Sequence, residues 1–384
     1  MKGLRRLLIG LACMGYAAVF GEIFLRVFKP EPLVPRYVTG GVEGIRANLP
    51  NVAFRQWTQE VDVTVRYNDR GMRDDRPAPP IAKVAGECRI ALVGDSYFVG
   101  FESDYRHSFA KQLEDRLAAA GTPARVLDFA VSGFGTAEDL IVLNRRVAPW
   151  RPDVVIMSWH ASDPSDNVRS GLFRMTDGRL QATGLPFLPG VSVSDRLMAW
   201  RGYRWLIENS QLYSAVRERA GVFAKRKLAD LRGRPQDGTL PGRAPGLADP
   251  ATAAMPIRVP MVGNPSLDLA LLKASREASL AMGSQFLLFD VPIRSARTVF
   301  VSPQALYLGN LPGIDSVSAM TAFQVAARPD RKLYLEQGQL HWTATGNAIA
   351  AAVAAGDIAR RGWLSGCGNP AARAKPFENR ASAP

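Results

Sequence analysis

The sequence predicts an α/β domain built on a parallel sheet, and three observations predict it. From Arg89 onward, short apolar segments alternate with stretches of helical periodicity, the rhythm of repeated strand–helix units. The short segments, such as Arg89–Val93 and Asp153–Trp159, are apolar at consecutive positions, as expected of strands covered on both faces. The chain has 384 residues, 47% of them hydrophobic, enough for one large domain with an insertion or for two modest domains.

The elements follow in order. Lys2, Arg5 and Arg6 precede the apolar stretch Leu7–Leu25, which only Glu22 interrupts, and Arg26, Lys29, Pro30 and Pro32 follow it. A basic flank before about 20 apolar residues reads as a signal anchor with its N-terminus in the cytoplasm. No small-x-small cleavage site follows, so residues 1–30 are expected to stay as an uncleaved anchor. The apolar run before Cys13 is too short for a lipidation signal. Residues 31–87 read as an irregular lead-in with a few short strands such as Val61–Tyr67, a turn at Asn68–Arg73 and a linker at Pro77–Pro80.

The main domain, 88–360, begins with the strand Arg89–Val93. Helix Phe109–Ala120, strand Arg125–Val131, helix Ala137–Val147 and strand Asp153–Trp159 follow. The rhythm then breaks. Residues 164–264 form an insertion, with a helix over Val193–Phe223 and a Gly/Pro/Arg-rich loop from Gly233 to Pro260. It resumes with helix Leu267–Met282 and strand Gln285–Val291. A loop-rich stretch over 295–330 precedes the closing helix Gly346–Arg360, and the polar tail 361–384 is expected to be disordered from Ser365.

The formal charge is +13, which favours anionic partners if the charges cluster. No basic run is interleaved with aromatics, so nucleic acid is excluded as a partner. Cys13, Cys88 and Cys367 form no CxxC or Cys/His cluster, so no metal site is expected. Cys88 and Cys367 either pair after export or remain two free thiols.

Two positions carry chemistry. Gly94-Asp95-Ser96 ends the first strand abruptly, placing a serine hydroxyl where open α/β sheets collect ligands. His341, in Gly-Gln-Leu-His-Trp, directly precedes the last helix. A serine and a histidine at element boundaries are what a nucleophile and its general base require. The other histidines, His107 and His160, open a helix and end the third strand.

With these residues the chain resembles the SGNH (GDSL-type) hydrolase superfamily, and within it membrane-anchored bacterial cell-envelope members. The resemblance rests on Glu22 to Arg26 at the end of the anchor, on Asn68-Asp69-Arg70-Gly71-Met72-Arg73, on Gly94-Asp95-Ser96, on Gly133 and on His341 with Trp342 and Gly346. It covers residues 1–165 well and 285–360 loosely. It implies a three-layer, flavodoxin-like parallel-sheet fold with a helical insertion after the third strand. It makes Ser96 the nucleophile, supported by Asp95, and Ser96 and Gly133 backbone donors to an oxyanion. Where the family has an Asn-Asp pair, this chain has Ser162 and Asp163, with Asn167 beyond; Ser162 is then the third donor. The family acid two or three residues before the histidine is missing, since Gly338 and Gln339 stand there. Gln339 could orient the ring, and Glu336 is the nearby carboxylate able to act as the acid.

The reading that follows is a single-pass inner-membrane esterase or O-acyltransferase facing the periplasm, needing no cofactor. Its expected substrate is an acylated, most simply acetylated, cell-envelope or exported polysaccharide, and polysaccharide-assembly proteins are its possible partners. The two substituted blocks motivate the alternative, a catalytically impaired member that binds glycan or scaffolds polysaccharide assembly.

Overall fold

In the computed structural model, the described residues are 2–220 and 261–366, apart from 297, 329, 338 and 339. The centre is a five-stranded, wholly parallel sheet. Its strands are β1 (Arg89–Val93), β2 (Arg125–Asp128), β3 (Val154–Trp159), β4 (Gln285–Asp290) and β5 (Ser316–Ser318). Their spatial order is β5-β4-β3-β1-β2. The helices named below are α1 (Lys2–Phe28), α2 (Phe109–Ala119), α3 (Thr136–Val142), α4 (Asp163–Ser170), α5 (Pro265–Ala281) and α6 (Ala344–Arg361).

The continuous apolar character of the strands has a direct cause. Ile90 and Leu92 of β1, Ile156 of β3 and Leu287 and Phe289 of β4 face one cluster, filled by Phe109 and Leu113 of α2 and Ala350 and Ile358 of α6. Their neighbours Ala91, Val93, Val155, Met157 and Leu288 face a second cluster, with Leu140 of α3 and Leu271 of α5. Successive residues point to opposite faces, so a sheet covered on both sides needs apolar residues at every position. The result is the expected three-layer α/β arrangement.

The strand order places a switch point between β1 and β3, since the chain runs from β1 outward to β2 and then back past β1. In open α/β sheets the crevice at the carboxyl ends of two such strands is where ligands bind.

Several boundaries differ from the sequence reading. β2 is regular only to Asp128, whose side chain accepts the Ala130 amide at 3.0 Å, although Phe129 N still donates to Leu92 O of β1 at 2.9 Å. The helix expected over Ala137–Val147 is α3 continued by a π turn over Leu143–Val147. The stretch 295–330 holds a hairpin (Ile293–Ala296 with Val299–Val301) and the edge strand β5, too short and polar to stand out. The lead-in contains two antiparallel hairpins, Val38–Gly40 with Arg46–Asn48 and Val52–Trp57 with Asp62–Tyr67.

The long helix expected from Val193 is broken into Val191–Met198, Arg201–Asn209 and a helix over 211–220. At the second break, Ser210 Oγ accepts the Tyr213 amide at 3.0 Å, an N-cap that starts a new helix. Residues 221–260, with the expected Gly/Pro/Arg-rich loop, and Cys367 with most of the tail lie outside the described residues.

Candidate active site

β1 delivers the serine. Gly94 has φ +149°, and a Cβ there would stand 1.9 Å from Ser158 Oγ, so only glycine lets the chain pass β3 at this point. Asp95 caps the one-turn helix Ser96–Val99 by accepting the Tyr97 amide at 3.0 Å. Gly100, with φ +68°, ends that turn, and Phe101 N donates back to Ser96 O at 3.2 Å. The chain therefore folds back at once and brings Glu102 beside the serine.

His341 arrives from the other end of the chain. Ser96 Oγ lies 2.8 Å from His341 Nε2, and Glu102 Oε2 lies 2.6 Å from His341 Nδ1. The Glu102 side chain is fully buried and that of His341 is 6% exposed. Tyr97 and Phe101 place ring edges against the imidazole, with centroids 5.3 and 5.9 Å away, and restrict its rotation. Trp342 next door is buried among Tyr97, Phe109, Phe289 and Phe323, which fixes the start of α6. The serine hydroxyl, the imidazole and the carboxylate thus form one continuous hydrogen-bonded row.

The carboxylate against His341 is Glu102, not Glu336. Glu336 is turned outward, 3.4 Å from Lys332 Nζ and 3.9 Å from Arg294 Nη1. Gln339 lies outside the described residues. Glu102 escapes sequence reasoning because its partner is 239 residues away. A signal exists all the same: it is a carboxylate directly after the apolar run Tyr97–Phe101, and a buried charge requires a partner.

The lead-in segment braces this acid. Glu102 has φ +59°, and its amide donates to Gln56 Oε1 at 2.8 Å from the second hairpin. Arg73 is buried with its Nη2 donating to Ser103 O at 3.2 Å. The Asn68–Arg73 turn that carries it is closed by Asn68 Oδ1, which accepts the amides of Arg70 and Met72 at 2.9 and 3.1 Å.

Gly133 sits in the turn after β2, φ +75°. Val131 N donates to Gly94 O at 2.9 Å, which holds this turn beside the serine loop. Arg46 from the first hairpin donates to Gly133 O at 2.9 Å. Ser162 begins α4, with its hydroxyl 3.2 Å from His160 Nδ1. His160 lies 3.9 Å from Asp95, and burial pushes its pKa down, which favours the neutral ring. Asp163 accepts from Thr136 Oγ1 at 3.2 Å, and burial raises its pKa well above the usual carboxylate range. Asn167 Oδ1 accepts the Ala137 amide at 2.8 Å, while its Nδ2 donates to Asp268 at 2.8 Å. Asp163 and Asn167 therefore tie α4 to the start of α3, underneath the Gly133 turn. His107 is exposed and takes no part in this row, whose hydrogen bonds join Ser96, His341 and Glu102. Among the described residues no cluster of His, Cys, Asp or Glu is arranged to hold a metal ion.

No family model matches the chain, and no curated protein matches it. Solved structures do. The chain is similar to a GDSL-like lipase from Bacteroides thetaiotaomicron, at 12% identity over 73% of this chain and 91% of that one, with a TM-score of 0.35. It is similar to a two-domain esterase active on acetylated mannans, at 12% identity over 72% of this chain and 50% of that one, TM-score 0.36. It is also similar to AlinE4, an SGNH-hydrolase family esterase, at 16% identity over 73% of this chain and 98% of that one, TM-score 0.31.

Proposed function

We propose that this chain is a membrane-anchored serine esterase acting from the periplasmic side of the inner membrane on O-acyl groups of a cell-envelope or exported polysaccharide. One observation carries the reading: the unbroken row Ser96–His341–Glu102. His341 Nε2 accepts the Ser96 proton as Oγ attacks the ester carbonyl. Glu102 accepts the Nδ1 proton in a hydrogen bond, holds the ring in the useful tautomer and offsets the imidazolium charge. The backbone amides of Ser96 and Gly133 stabilise the oxyanion. The imidazolium then protonates the leaving alkoxide, and an acyl-Ser96 ester remains. Water, activated by His341, attacks that ester and releases the acid; a sugar hydroxyl in place of water completes an acyl transfer.

The anchor is supported by α1, which is long and apolar enough to cross a membrane, with a mean hydropathy of 1.9 and its surface exposed. The polysaccharide substrate is supported by the resemblance carried by the Asn68–Arg73 segment, the anchor and the Gly94-Asp95-Ser96 motif. Ser162 in the place of the family asparagine favours a second reading, an impaired member that binds glycan.

The test uses the full chain in detergent with an aryl acetate, beside Ser96→Ala. The esterase reading expects a fall in kcat/KM of about 10³-fold or more in the variant. Turnover equal in the two proteins, both folded, sinks it and leaves the glycan-binding reading, to be examined with acetylated oligosaccharides.

A further inference from the structure

We propose that the helical hairpins over 191–220 form an interfacial surface that rests in the headgroup layer of the bilayer, with Trp200 and Trp205 as its anchors. The proposal rests on the reading of α1 as a membrane span.

The argument begins with depth. Glu22 reaches out of α1 to the start of the helix over 211–220, where it accepts the amides of Gln211 and Leu212 at 3.0 and 2.9 Å and the Ser210 hydroxyl at 2.8 Å. Arg26, paired with Glu22 at 2.7 Å, donates to Asn209 O at 2.5 Å. Gly21 leaves room for Leu212, whose Cδ2 would stand 3.4 Å from a Cβ at that position. Residues 209–212 are therefore level with residues 21–26 of α1. The apolar stretch ends at Leu25, three residues past Glu22, or about 4.5 Å along the helix axis. A segment fixed at that height stands at the edge of the hydrocarbon layer if α1 spans the bilayer.

The surface chemistry of the helices that adjoin this clamp fits lipid. Trp200 and Trp205 are 65% and 64% exposed, and Val193, Leu197 and Val216 on the same hairpins are also exposed. Trp205 lies one turn before Asn209, whose carbonyl receives Arg26, so it stands about 6 Å along that helix from the contact with α1. Exposed arginines, among them Arg196, Arg201 and Arg204, accompany the apolar side chains. Tryptophan with an apolar ring and a polar N–H, flanked by guanidinium groups, suits the boundary between acyl chains and lipid phosphates. A clamp at Glu22 and a second foothold at these tryptophans hold the Ser96 site at one height above the membrane.

The experiment reconstitutes the full chain and the double variant Trp200→Phe/Trp205→Phe into phosphatidylcholine/phosphatidylglycerol vesicles, with or without acyl chains brominated near the headgroup. α1 contains no tryptophan, so any quenching by brominated lipid comes from the domain. Quenching in the natural chain, reduced at least twofold in the double variant, is the expected result. Equal quenching in both overturns the interfacial surface while leaving the anchor standing. A chain that fails to float with the vesicles overturns the anchor and this surface together.

Discussion

Glu102→Gln should lower kcat/KM for an aryl acetate by about 10³–10⁴-fold while leaving the domain folded. The magnitude follows from the position of the group. Its oxygen lies 2.6 Å from His341 Nδ1, and its side chain is fully buried, so solvent neither screens nor replaces it. A glutamine fits the same space but offers no charge to the imidazolium. With its NH2 facing Nδ1 it also forces the ring proton onto Nε2, the atom that must accept from Ser96. A loss of 10⁴ corresponds to about 5 kcal/mol of transition-state stabilisation. The brace at Gln56 is made by the Glu102 main-chain amide and survives the change. Thermal melts of the variant should accordingly stay within a few degrees of the natural chain. Glu336→Gln is the control: its partners are surface cations, and a loss of less than about twofold is expected. The reasoning is refuted if Glu336→Gln carries the large loss and Glu102→Gln is nearly as active as the natural chain.

Three further outcomes can be checked. Gly94→Ala meets Ser158 Oγ at 1.9 Å in a left-handed backbone, so urea melts should show a loss of about 2–4 kcal/mol; unchanged stability would show that the serine loop is not packed this way. Ser162→Ala should keep activity within about tenfold, because its hydroxyl is engaged with His160; a loss of about 10²–10³ in kcat would instead make it an oxyanion donor. Glu138 is buried on α3, where burial and nearby Asp166 push its pKa up to about 7. The folded state therefore keeps a proton that the unfolded chain releases near its ordinary value, and stability should fall as pH rises from about 4.5 to 7. Glu138→Gln should remove up to about 3 kcal/mol of that fall, read from urea midpoints at pH 5 and pH 8; an unaltered pH slope would contradict it.

The sheet and its helices were legible in the sequence because burial on both faces writes itself into consecutive apolar residues. Ser96 was legible because Gly-Asp-Ser ends a buried strand and the other matching segments follow it in order. His341 was legible because it opens the last helix beside an apolar tryptophan. All of these signals are local. The carboxylate beside His341 was not legible, because two left-handed residues, Gly100 and Glu102, reverse the chain and present Glu102 to a ring 239 residues away. Proximity in sequence pointed to Glu336, which the fold turns toward Lys332 and Arg294. The break at Ser210 was likewise hidden, since Glu22 of α1 supplies the acceptors that stabilise a new helix start there. The sequence by itself determined which segments must be buried and which residue types stand at their ends. Only the tertiary structure decided which charged groups meet, because that depends on how distant turns converge at the switch point between β1 and β3.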